Sequence, residues 1–223
     1  MKKLALVAVV VAVVAMMAFG VYAASDIKNT KHNLSMQSGN QYRSTNYSEI
    51  CVFCHTPHAA GSWPLWNRNM TGVTGFTTYS SIAFDVTATD IDSTSKLCFS
   101  CHLNTTSPTT ALNNPSNLKN NVQPTFNFVG IRHTAAIGTN LRDDHPVAFD
   151  YAAVQGTHNE IETASNAAAN LGGTTAQIFP AGQMTCSSCH DVHGKVGSGG
   201  SVIPVLLQRS NASSLLCLAC HKK

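Results

Sequence analysis

All eight cysteines of this 223-residue chain fall into four copies of one pattern, Cys-x-x-Cys-His. The copies are Cys51/Cys54/His55, Cys98/Cys101/His102, Cys186/Cys189/His190 and Cys217/Cys220/His221. At these cysteine and histidine frequencies chance supplies roughly 0.02 copies per chain. The pattern is that of covalent c-type haem attachment. Two thiols add to the two vinyl groups as thioethers, and the two residues between them let one turn of chain reach both. The histidine that follows then lies beneath the iron as proximal ligand. The expected cofactors are therefore four covalently bound haem c groups, held by the eight cysteines. His55, His102, His190 and His221 are the expected proximal ligands. Four disulfides or two Cys-four zinc sites would leave the histidine after every second cysteine unexplained. A thioredoxin-like redox pair would be expected once, beside a βαβ pattern.

The N-terminus reads as an export leader. Lys2 and Lys3 precede an unbroken apolar run from Leu4 to Phe19, and Val21-Tyr22-Ala23 offers small residues for cleavage. Residues 1–23 are thus expected to be a cleaved signal peptide, and 24–223 a tetrahaem domain. The rival is a retained anchor, since the apolar run approaches the lower limit of a membrane span. No stable membrane anchor is expected. Export agrees with the haem reading, because bacteria attach haem c outside the cytoplasm.

The chain after the leader is poor in core-forming side chains. Only 11% of the whole sequence is charged, against about 25% in an ordinary globular domain, and Asn, Ser and Thr take up the difference. No basic stripe suggests nucleic-acid binding. Four haems in roughly 200 residues leave about 50 residues each, so the macrocycles themselves would form much of the apolar interior. The expected fold is mostly irregular coil with short helices at the binding motifs and little or no sheet, organised around a stacked haem chain. Residues 72–90 are the one candidate for a short hairpin, and 162–170 for a further helix. Two two-haem units, 51–102 and 186–221, are joined by 103–185.

Ten histidines are present, so His32, His58, His133, His145, His158 and His193 remain for four distal positions, and bis-histidine coordination is expected throughout. Met36, Met70 and Met184 could serve instead and would raise the reduction potential; as flexible gap fillers they need no such role. His58 and His193 each follow a proximal histidine by three residues, in C-x-x-C-H-T-P-H and C-x-x-C-H-D-V-H. On a helical turn such neighbours lie about 5–6 Å apart on one side. Neither can cross to the far face of its own haem, so a ligating His58 or His193 must serve a different one. In the central stretch His145 is the first choice, because Pro146 stiffens the backbone beside it. His133 and His158 are second choices.

The elements Lys31-His32-Asn33-Leu34-Ser35, CVFCHTPH, DDHPV, CSSCHDVHG and LLCLACH resemble the doubled-CXXCH multihaem c-type cytochromes of metal-reducing bacteria. The chain is similar in haem number and length to their tetrahaem, filament-forming members. Residues 60–97 and 103–130 carry no part of the likeness. The resemblance implies His32, His58, His145 and His193 as distal ligands. It also implies that His58 is donated to a haem of the neighbouring subunit, giving a head-to-tail homopolymer, since a heterologous contact that does not close makes an open filament.

The function expected is extracellular electron transfer rather than enzymatic catalysis. Donor proteins and external acceptors are the expected partners. Six-coordinate bis-histidine iron has no open substrate site, and two imidazoles hold the potential low. The alternatives are a monomeric periplasmic shuttle and a multihaem reductase with one open haem. Without Lys2 and Lys3 the chain has 12 Lys+Arg against 11 Asp+Glu. Four haems add about eight propionates, for a net charge near −7 if all ionise.

Overall fold

The computed structural model describes residues 25–56, 64–88, 90–103, 126–130 and 136–222. Expectations for 1–23, His58 and His133 fall outside them. Most of the described chain is irregular. It carries five short helices: α1 (Ser93–His102), α2 (Tyr151–Thr157), α3 (Ala164–Asn170), α4 (Thr175–Ile178) and α5 (Cys186–Cys189). Single 3-10 turns occupy Cys51–Phe53 and Cys217–Ala219, so each of the four motifs begins in a helical turn.

Strands are equally brief. β1 (Arg43–Ser44) pairs antiparallel with β2 (Phe128–Val129), and β3 (Phe149–Asp150) with β4 (Gln183–Met184). Both sheets join residues far apart in sequence, and each stops after two residues per strand. The hairpin expected over 72–90 is not formed. Thr77 instead makes a lone parallel bridge to Asn140, its N–H donating to Thr139 and its carbonyl accepting from Leu141. Local alternation supplies strand tendency without choosing a partner, and here a distant segment takes the backbone.

The helices follow local rules closely. Asp92 caps α1 by accepting from Ser95 N–H at 2.8 Å, and Phe99 anchors the helix from its buried face. Thr163 caps α3, which lies within the helix expected at 162–170. Its buried Ala167 and Ala168 pack against Phe149, Tyr151, Ile178, Phe179 and Met184. Gly172, at φ 75°, ends that helix in the left-handed region that glycine enters without strain.

Apolar burial is divided among three small clusters. One surrounds α3 and the fourth motif; a second joins Val73, Ile91, Phe99, Leu141 and Ala148; a third joins Val52, Phe53 and Phe126 beside the first motif. The N-terminal segment closes onto the third motif, where Asp26 N–H donates to the Gly194 carbonyl at 2.9 Å. Gly194 has φ 81°, and a Cβ there would strike the Thr30 methyl. Only glycine allows this approach without displacing the segment that carries His32.

Candidate functional site: four Cys-x-x-Cys-His motifs and their facing histidines

The motifs neighbour one another in chain order. Cys54 of the first senses the charge of Cys101 in the second. Cys98 of the second lies beside Cys186 of the third, and the Cys186 N–H donates to Ser95 on α1 at 3.0 Å. Cys189 of the third senses Cys220 of the fourth. All eight thiols are free. Burial first, then the neighbouring Cys101, pushes Cys54 up to about 12, and burial followed by Cys220 pushes Cys189 up to about 11. In the bare polypeptide these two sulfurs stay protonated at neutral pH.

The histidines meet in pairs. His32 faces His102 with ring centroids 6.1 Å apart, His193 faces His55 at 6.2 Å, and His145 faces His221 at 6.3 Å. Each pair joins one proximal candidate to one distal candidate. Two imidazoles bound through Nε2 on opposite sides of one metal, at bonds of about 2 Å, have centroids about 6.3 Å apart. Face-to-face rings lie closer, as Tyr151 and Phe179 do at 4.2 Å, whereas the edge-on pair Tyr47 and Phe53 lies at 6.4 Å. His193 faces the first motif and not His190, its own neighbour in the chain.

Backbone carbonyls set the tautomers. The Nδ1–H groups of His32, His55, His145 and His190 donate to the carbonyls of Val192, Pro64, Pro146 and Val205 at 3.1, 2.9, 3.0 and 3.1 Å. With hydrogen on Nδ1, Nε2 carries the lone pair a metal requires. Burial holds His32 below the ordinary imidazole range. The bond to Val192 opposes that shift, and His102, His193 and His190 add to it. Burial, then His145, lowers His221, while Glu160 pulls it back. Both are therefore neutral at pH 7, the form that ligates.

His158 stands apart from these pairs. Its Nε2 lies 2.9 Å from Asp85 and its Nδ1 3.0 Å from Glu160, so both ring nitrogens meet carboxylates. His190 has no facing histidine ring among the described residues. Among them no group of three or more His, Cys, Asp or Glu side chains gathers as a metal site, and no helix is long and apolar enough to cross a membrane.

The donor set fits haem c: thiols in pairs, imidazoles paired at a separation that suits one iron, and Nδ1–H groups held by carbonyls so that Nε2 is the ring nitrogen left to ligate. A further fit comes from Trp66, whose ring lies edge-on to His55 at 5.8 Å. Its Nε1 is buried with no acceptor among the described residues, and a haem propionate is an acceptor of the kind this donor needs. Trp66 was not legible as a site residue, because a single tryptophan in a loop has no offset that marks it. No protein-family model and no curated protein matches the chain.

Proposed function

We propose that the chain is a tetrahaem c-type cytochrome that carries electrons outside the cytoplasm, and that it polymerises into a filament delivering them to external acceptors. One observation carries the electron-carrier reading: three proximal–distal histidine pairs separated as two imidazoles on one iron would be. When bound, the haems supply reversible one-electron iron couples in a row.

The protein's own residues do the holding and tuning. Cysteines anchor each group at two points, and the order of the motifs in space sets the order of the haem chain. His55 with His193, His102 with His32, and His221 with His145 would each hold one iron between two imidazoles, which would leave no open site for substrate and keep the potentials low. Because His193 follows His190, one short stretch of chain serves two haems and holds them near each other. His32 is fixed by the carbonyl of Val192, in that same stretch, so the distal ligands of the first two haems are built as one unit.

The partner reading rests on the family likeness and on His190. Its distal ligand is assigned to His58 of another copy, which would join subunits by a metal–ligand bond. Donor proteins and extracellular acceptors complete the path. A signal peptide at 1–23 would account for export from the cytoplasm.

Mass and spectrum of the exported protein test the first part. Four haem masses above the polypeptide, with a sharp α-band after dithionite, are expected; a bare polypeptide overturns it. Carbon monoxide binding readily to the reduced protein would favour a reductase with an open iron. Native size tests the second part: His58→Ala is expected to give four-haem monomers, and intact filaments from that variant refute the shared ligand.

A further inference from the structure

The first and third motifs are closed by the same set of bonds, made with residues that carry no motif of their own. At the first, His55 forms an antiparallel bridge with Trp66. Thr56 N–H donates to Leu65 at 2.9 Å and Asn67 N–H to Cys54 at 2.8 Å. The His55 Nδ1–H donates to Pro64, and the Asn67 side-chain amide donates to the Val52 carbonyl at 2.7 Å.

At the third motif, His190 bridges Leu207. Asp191 N–H donates to Leu206 at 2.7 Å and Gln208 N–H to Cys189 at 2.8 Å. The His190 Nδ1–H donates to Val205, and the Gln208 amide donates to the Ser187 carbonyl at 3.1 Å. Counted from each bridge partner, every donor and acceptor holds the same offset, although the loops between differ in length.

The geometry has a local cause. Leu65 and Leu206, just before each bridge partner, take φ of 63° and 56°. Such strain in non-glycine residues persists only where surroundings enforce it. Here it turns the preceding carbonyl back onto the imidazole. The carboxamide one residue beyond the bridge partner then ties the segment to the helical turn between the two cysteines.

Asn67 is fully buried. At the fourth motif the bridge between His221 and Ile161 and both backbone bonds recur, Lys222 N–H donating to Glu160 and Glu162 N–H to Cys220, but among the described residues the imidazole–carbonyl and carboxamide bonds do not. Lys222 Nζ takes the Asn159 carbonyl, and an amide from α3, Asn170, donates to Ala219 instead.

We propose that Asn67 and Gln208 are positioning residues: their carboxamides hold the Pro64 and Val205 carbonyls against the proximal imidazoles of the first and third haems, setting ring orientation and basicity. The inference rests on the haem reading. A carbonyl on Nδ1–H makes the imidazole a stronger donor and stabilises ferric iron. Loosening it is expected to move that haem's potential upward.

The test uses the full holoprotein, with haem content read by mass, low-spin signals by electron paramagnetic resonance, and midpoints by redox titration. Gln208→Leu removes the donor while keeping an apolar side chain one bond shorter, and Gln208→Asn, of that same shorter length, retains an amide like the one at 67. With four haems bound, Gln208→Leu is expected to alter one low-spin signal and shift one midpoint positive, and Gln208→Asn to restore both. Asn67→Ala is expected to do the same to a different haem. Unchanged signals and midpoints in both Gln208→Leu and Asn67→Ala, with four haems bound, overturn the inference alone. Haem loss in Gln208→Leu that Gln208→Asn does not reverse also overturns it, leaving the amide a structural role. Absence of haem from the wild-type protein overturns the underlying reading.

Discussion

The second motif and the first are held in opposite ways. Cys98, Cys101 and His102 ride on the last turns of α1, a ten-residue helix with its own cap at Asp92 and its own anchor at Phe99. The first motif begins in a single 3-10 turn, Cys51–Phe53, that Cys54 ends and that is too short to hold itself, with His55 just beyond it. A segment from further along the chain, Pro64 to Asn67, closes that turn through backbone and amide hydrogen bonds. A motif placed by its own helix depends on local propensity and one buried side chain. A motif placed by a clamp depends on the tertiary fold, and its histidine is oriented by carbonyls that sequence proximity does not supply.

Three substitutions sharpen this contrast. The largest effect is expected from Phe99→Ala. Phe99 is 2% exposed and packs against Phe76 at 4.6 Å between centroids. Its removal is expected to cost about 3–5 kcal/mol. Protection of amides in α1 should fall well before that of the segment around His190, as hydrogen exchange would show; uniform loss would mean that the helix and the clamps are one cooperative unit.

Asp92→Ala removes the side chain that caps α1 and should cost about 1 kcal/mol in denaturant midpoint, with no change at the clamped motifs. Leu65→Gly carries the smallest effect and the opposite sign. Glycine relieves the positive φ at 65 but adds freedom to the unfolded chain, so stability is expected to rise by up to about 1 kcal/mol. A clear loss in thermal melts would show that Leu65 contributes by packing and not merely by tolerating its backbone.

Much of this was readable from the residues. The repeated Cys-x-x-Cys-His pattern marks four equivalent motifs, and the polar composition predicts a chain with little regular structure and short helices where the motifs lie. The helix expected at 162–170 forms as α3 because Thr163 caps it and Ala167 and Ala168 suit a buried face. The hairpin expected at 72–90 does not form, since strand-favouring residues such as Thr77 pair with whatever edge the fold brings near. Asn67, Gln208 and Trp66 were invisible for a related reason. Their roles depend on a carbonyl or ring that only folding places beside them.

The sequence alone determined that all eight cysteines stand in four identical Cys-x-x-Cys-His motifs, because such a local spacing is fixed before folding; the four-haem reading is built on it. The histidine offsets also predict that His58 and His193, if they ligate, serve a different haem from the one beside them. Only the tertiary structure decided that His193 faces His55, His32 faces His102 and His145 faces His221. Those partners lie in distant segments, and the choice among them is made by the packing of loops such as the one that Gly194 lets pass close to Thr30.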